Sequence, residues 1–110
     1  MHQRFLVREY LRKDGSSPIR EWLESLQTTT QARIAARLTR FEAGNLGDCK
    51  PVGSGVWEAR FMFGSGYRLY FGRKGNSLIL LLTGGDKGSQ QADIASAKKY
   101  WEEFLEVTHE

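Results

Sequence analysis

Apolar residues recur in this chain at two spacings, and each predicts a different element. Over residues 3–12, "QRFLVREYLR", aromatic and branched side chains crowd together in the manner of a strand. "KDGSS" marks a turn, and Ser17-Pro18 offers an N-cap followed by a residue suited to the first helical position. Ile19, Trp22, Leu23 and Leu26 then keep the i, i+3, i+4, i+7 spacing of a buried helical stripe. A second helix is expected over about residues 30–43, with Ile34, Leu38 and Phe41 inward and Gly44 closing it. The Gly-, Asn- and Asp-dense stretch 44–55, "GNLGDCKPVGSG", reads as a loop. Strands are expected at about 55–63, 67–73 and 78–83, with a tight turn at Gly75-Asn76. The continuous apolar run Leu78–Leu82 suits a strand buried on both faces. "GGDKGSQ" is a loop, and a last helix over about 89–106 places Ile94, Ala97, Trp101 and Phe104/Leu105 at helical spacing, leaving the orientation of Tyr100 open. The pattern predicts an α+β domain of 110 residues, a twisted, mostly antiparallel sheet of about four strands with a helical hairpin and a C-terminal helix packed on it.

Alternation sharpens the picture in "VWEARFMFGSGYRLYF", residues 56–71. Trp57, Ala59, Phe61 and Phe63 share one strand face with Tyr67, Leu69 and Phe71 of the next strand. The other face carries Val56, Glu58, Arg60 and Met62 with Arg68 and Tyr70. A register that brings the aromatic faces together, Phe61 near Leu69, sets Arg60 beside Arg68 and Glu58 beside Tyr70. An odd-numbered loop centred on "GSG" satisfies that register. One reading of this polar face is the solvated side of an antiparallel sheet, with Glu58 balancing an arginine. The other is an anion site. Adjacent arginines repel, guanidinium groups grip phosphate in a fork, and Tyr70 could stack on a base or donate its hydroxyl.

Composition changes this only slightly. A net charge of +3 and a pI near 9.2 permit a nucleic-acid partner without demanding one. Cys49 is the single cysteine, so no internal disulfide forms, which fits a cytoplasmic setting. No histidine neighbours it in sequence and no zinc set accompanies it, so no metal is expected. No signal peptide, membrane span or repeat is legible, and no membrane partner is expected. Arg33, Arg37 and Arg40 share one face of the second helix, either as a solvated face or as a contact to RNA. Asp86 is expected to order its loop or pair with Lys87, and Gly84-Gly85 to serve a backbone turn.

The runs "GDCKPVGSGVWEAR", "GYRLYF" and "LLTGGDKGSQQADI" in combination resemble the RelE/ParE toxin superfamily, in particular its addiction-module killer protein (HigB/RelE-like) branch. The resemblance extends from the first helix through the last. It implies a RelE-like fold and the toxin half of a type II toxin–antitoxin pair. The activity it implies is metal-independent cleavage of messenger RNA on the ribosome, without a cofactor. Arg60, Arg68 and Lys87 fall at positions of the family's basic active surface, and Lys50 is a further candidate. Glu58, or Lys50 or Lys87 with a lowered pKa, could take the 2′-OH proton. The histidine that several relatives use has no counterpart except His2 and His109, at the chain ends. The implied partners are a cognate antitoxin, commonly a helix-turn-helix protein, mRNA and the ribosome, and operator DNA through the antitoxin complex. Two alternatives keep the fold: a ParE-like inhibitor of DNA gyrase without RNase activity, and an inactive remnant that binds its antitoxin.

Overall fold

The computed structural model describes residues 4–108, so His2 and His109 lie outside the described residues. The chain opens with strand β1 (Leu6–Glu9), shorter than its apolar pattern suggests. Helix α1 (Pro18–Glu24) starts where Ser17 caps it: the Ser17 hydroxyl accepts from the Arg20 N–H at 3.1 Å. The same hydroxyl donates to Glu9 at 2.8 Å, fastening α1 to β1. Helix α2 (Thr28–Glu42) ends in a Schellman motif. Gly44, at φ 90°, donates to the Phe41 carbonyl and Asn45 to that of Arg40, both at 2.9 Å.

Five strands follow the order β1-β5-β4-β3-β2, with β2 Cys49–Gly53, β3 Val56–Arg60, β4 Arg68–Lys74 and β5 Leu78–Gly85. β1 runs parallel to β5, and the other pairings are antiparallel. The fold class is α+β, as the pattern predicts. β5 lies inside the sheet. Ile79 and Leu81 face the helical hairpin, while Leu80 and Leu82 face helix α3 (Gln90–Thr108), which is why the run is apolar throughout.

Three expectations need correction. Residues 49–53 form a strand rather than loop; Pro51 and the glycines conceal it, and Pro is tolerated because β2 is an edge. Gly84 and Gly85 belong to β5 rather than to a turn. They are small because a Cβ on Gly84 would overlap the Trp22 ring, and one on Gly85 the Asp93 carboxylate. Last, the Glu58 face of the sheet is not simply wet. The helices divide between the two faces, α1 and α2 on the aromatic side, α3 on the other. Trp101 of α3 lies against Gly72, where any Cβ would overlap its ring. Among the described residues, no helix is long and apolar enough to cross a membrane.

Candidate nucleic-acid interface

The α3-facing side of the β3–β4 pair is built of three rungs. Val56 pairs with Gly72, Glu58 with Tyr70, and Arg60 with Arg68. The last two are the pairs expected from alternation. On the opposite face the partner of Leu69 is Ala59, and Phe61 meets Tyr67, to whose carbonyl its N–H donates at 3.0 Å. Polarity grades along the rungs. The first is sealed under Trp101; the second is fully buried yet polar; the third reaches solvent.

Glu58 organises the middle rung. Its Oε2 accepts from the Tyr70 hydroxyl at 3.0 Å and from Gln90 Nε2, at the start of α3, at 2.8 Å. Arg68 Nε stands 3.6 Å from the same oxygen, and Lys50 Nζ 3.9 Å from Oε1, which has no hydrogen-bond partner of its own. Burial, then the neighbouring carboxylate, pushes the Tyr70 phenol well above its ordinary pKa. Two sequence expectations fail here. Neither Glu58 nor Tyr70 has any exposed surface, so Tyr70 is closed to base stacking and Glu58 to a substrate hydroxyl. Glu58 accepts hydrogen bonds from two donors, Tyr70 and Gln90, and its charge lies within ion-pair distance of Arg68 and Lys50.

Those cations sit on different elements. Arg68, its side chain 15% exposed, also donates from Nη1 to the Gly66 carbonyl at 3.1 Å. Arg60, 43% exposed, is steered by Asp48, with Nε 3.2 Å from Oδ2 and Nη2 donating to Oδ1 at 3.3 Å. Lys50 is exposed, and sits in β2 directly opposite Glu58 rather than in a loop. Lys87 is exposed on the 3-10 turn Lys87–Ser89, and its N–H reaches the Ser65 carbonyl at 3.4 Å, beside Gly66 and so beside Arg68. Asp86 orders that turn as expected, accepting from the Gly88 N–H at 2.9 Å.

The three arginines of α2 divide. Arg37 is not a free cation for RNA. Its guanidinium donates to the carbonyls of Leu46, Asp48 and Arg60, bracing the segment that leads into β2. Arg33 is exposed and lies over the Phe63 ring at 3.9 Å. Arg40 is exposed and shares with Arg33, Asp48 and Arg60 a shallow groove of about 360 Å³. Arg60, Met62, Gly66 and Arg68 line a second groove of about 310 Å³. Arg33, Arg40, Arg60 and Arg68 therefore fall along one connected surface, in which Arg37 serves as framework.

Sequence reasoning missed Asp48 and Gln90. Asp48 stands two residues before Lys50, and only the β2–β3 pairing shows that it faces Arg60. No spacing rule connects Gln90 to Glu58, 32 residues earlier. Tyr100 is placed away from the arginine pair, stacked on Tyr10 with centroids 4.9 Å apart. Cys49 opens β2 half-buried and donates to the Leu46 carbonyl at 3.2 Å, and burial raises its thiol pKa. Among the described residues, no group of three or more His, Cys, Asp or Glu side chains converges as a metal would require.

Comparison with known proteins gives this surface a context. Residues 21–102 match the family described as "Phage derived protein Gp49-like (DUF891)", a span from α1 almost to the end of α3 that includes every candidate residue above. A Haemophilus influenzae protein, itself described as uncharacterized, is 44% identical over 78 residues, or 70% of this chain and 79% of that one. The chain thus belongs to the phage-derived Gp49-like family, a RelE/Gp49-type toxin family.

Proposed function

We propose that this protein is the toxin of a type II toxin–antitoxin pair and cleaves messenger RNA on the ribosome by a route that uses its own cations in place of a metal. The HigB/RelE-like motifs, family membership and basic surface support this reading. The observation that carries it is the Arg60–Arg68 rung, with buried Glu58 fixing one arginine and Asp48 steering the other. The two guanidinium groups would hold the scissile phosphate and meet the charge that builds on it as the 2′-oxygen attacks. The P–O5′ bond then breaks, leaving a 2′,3′-cyclic phosphate and a free 5′-hydroxyl. Of the two exposed rim residues Lys50 and Lys87, one in its neutral amine form would take the 2′-OH proton and the other, as ammonium, would give a proton to the leaving 5′-oxygen. Glu58 and Tyr70 hold geometry beneath. A cognate antitoxin, expected to be a helix-turn-helix protein that also carries the pair to operator DNA, would be the cytoplasmic partner.

The test is induction of wild type and of Arg60→Ala and Arg68→Ala in bacteria, following labelled amino acid and thymidine. Each substitution should lower RNA cleavage by about 10²- to 10³-fold. An early stop in protein synthesis, seen only with wild type, supports the reading. An early stop in DNA synthesis instead marks a gyrase-directed toxin, and no effect from a folded chain marks an antitoxin-binding remnant.

A further inference from the structure

The loop 61–67 joining β3 to β4 treats neighbouring apolar residues in opposite ways. Phe61, Phe63 and Tyr67 pack on one another, with centroids 6.1 and 5.6 Å apart along the series, and Tyr67 meets the edge of Trp22 at 6.3 Å. The Phe61–Tyr67 backbone hydrogen bond closes the base of the loop. Arg33 lies over the outer side of this aromatic set. Met62, between two of these anchored rings, is 86% exposed, the highest value among the exposed large apolar residues described. Its exposure is therefore not slack in the chain. The loop is pinned on both sides of Met62 and displays it.

A lone exposed methionine needs no explanation. The setting of this one does. It lines both grooves described above, with Arg60 common to the two; one continues to Arg33 and Arg40, the other to Arg68. A ligand that follows this surface meets cation, apolar tip and cation in turn. That sequence suits a chain with anionic links and flat apolar faces, which is the chemistry of single-stranded nucleic acid. Methionine is among the side chains that wedge against bases, and its polarizable sulfur packs well on π faces.

We propose that Met62, backed by Phe63 and Arg33, forms a base-stacking subsite for the nucleotide next to the phosphate held by Arg60 and Arg68, and that the strand continues past Arg33 toward Arg40. The proposal rests on the RNA-cleaving reading and adds to it the residue that grips a base. Met62 contacts ligand without joining the bond-breaking step. Being exposed, it can be shortened without emptying the core.

The experiment is fluorescence anisotropy with a labelled 2′-O-methyl oligonucleotide of about ten nucleotides, which cannot be cleaved, and with the same backbone carrying abasic residues. Wild type should prefer the base-bearing strand. Met62→Ala should weaken that strand about fivefold, leave the abasic strand unchanged and preserve the salt slope. Arg40→Ala should weaken both strands equally and lower the salt slope by about one. A thermal melt checks that each variant is folded. If Met62→Ala keeps the full base preference while Arg60→Ala/Arg68→Ala abolishes binding, the subsite is overturned and the cleavage reading stands. The same holds if Met62→Ala leaves base preference intact but breaks a complex with the antitoxin, since the tip is then a protein contact. If wild type binds neither strand, the subsite is overturned, while cleavage on the ribosome is decided separately by the induction experiment.

Discussion

The two ends of the sheet face under α3 use the same strands and the same covering helix, yet they are built on opposite terms. At one end Val56 and Leu80 lie in one cluster with Ala97 and Trp101, with Gly72 cut away to admit the indole. At the other, the helix begins with Gln90, which donates a hydrogen bond to a carboxylate with no exposed surface. The apolar end gains from leaving water, whatever its partners. The polar end is worth keeping only while every member is present, because an unpaired buried charge costs far more than a missing methyl group. The Glu58 network is thus a poor way to gain stability and a good way to hold an arginine still.

The largest effect that separates the two ends is expected from Glu58→Ala. It strands Arg68 and the Tyr70 hydroxyl, and should cost about 3–5 kcal/mol in urea unfolding. Leu80→Ala at the apolar end should cost about 2–5 kcal/mol. Glu58→Gln distinguishes the terms: it should recover much of the stability while the cleavage attributed to Arg68 stays low. Cleavage at the wild-type rate in that variant would remove Glu58 as the arginine's anchor.

A smaller contrast lies along α2. Arg37→Ala leaves three backbone carbonyls without their donor and should cost about 1–3 kcal/mol. Arg33→Ala gives up one exposed contact with Phe63 and should cost about 0.5–1 kcal/mol. Equal losses would mean that Arg37 does not brace the entry to β2.

The smallest effect is one of pH. Tyr70 is raised by burial and by Glu58, and Tyr10 is raised to about 12 by burial and by its hydrogen bond to Glu103. Raised phenols favour the neutral form in the folded state. Their contribution is complete below the unfolded value near pH 10 and declines as pH rises above it, for Tyr10 being lost as pH climbs through about 12. Tyr70→Phe should flatten this alkaline decline in melting temperature, and an unchanged decline would argue against the buried Tyr70–Glu58 contact.

Local rules carried the sequence reading a long way where the interaction was local. Ser17, Pro18 and Gly44 marked helix ends, and alternation in 56–71 set Arg60 opposite Arg68 and Glu58 opposite Tyr70. The rest was hidden for physical reasons. An apolar stripe says that α3 packs, not which face of the sheet it covers, so Glu58 and Tyr70 read as surface residues. Strand β2 looked like loop because an edge tolerates Pro51. Helical spacing grouped three arginines that tertiary structure separates, sending Arg37 to backbone carbonyls and leaving Arg33 and Arg40 at the surface. Asp48 and Gln90 reach their partners through space, where no periodicity leads.

The parallel pairing of β1 with β5 bears on how the chain comes off the ribosome. Leu6 finds Leu78 as its strand partner, and Glu58 receives Gln90 from the first turn of the last helix. Chains are made from the N-terminus, so β1 must wait for β5, the only strand it pairs with among the described residues, and the arginine anchor for its last donor. Sites assembled from distant segments also form late in folding. The surface that would grip RNA is therefore complete only once the chain has emerged beyond Gln90, and a copy made only as far as β4 carries its arginines without the framework that aims them.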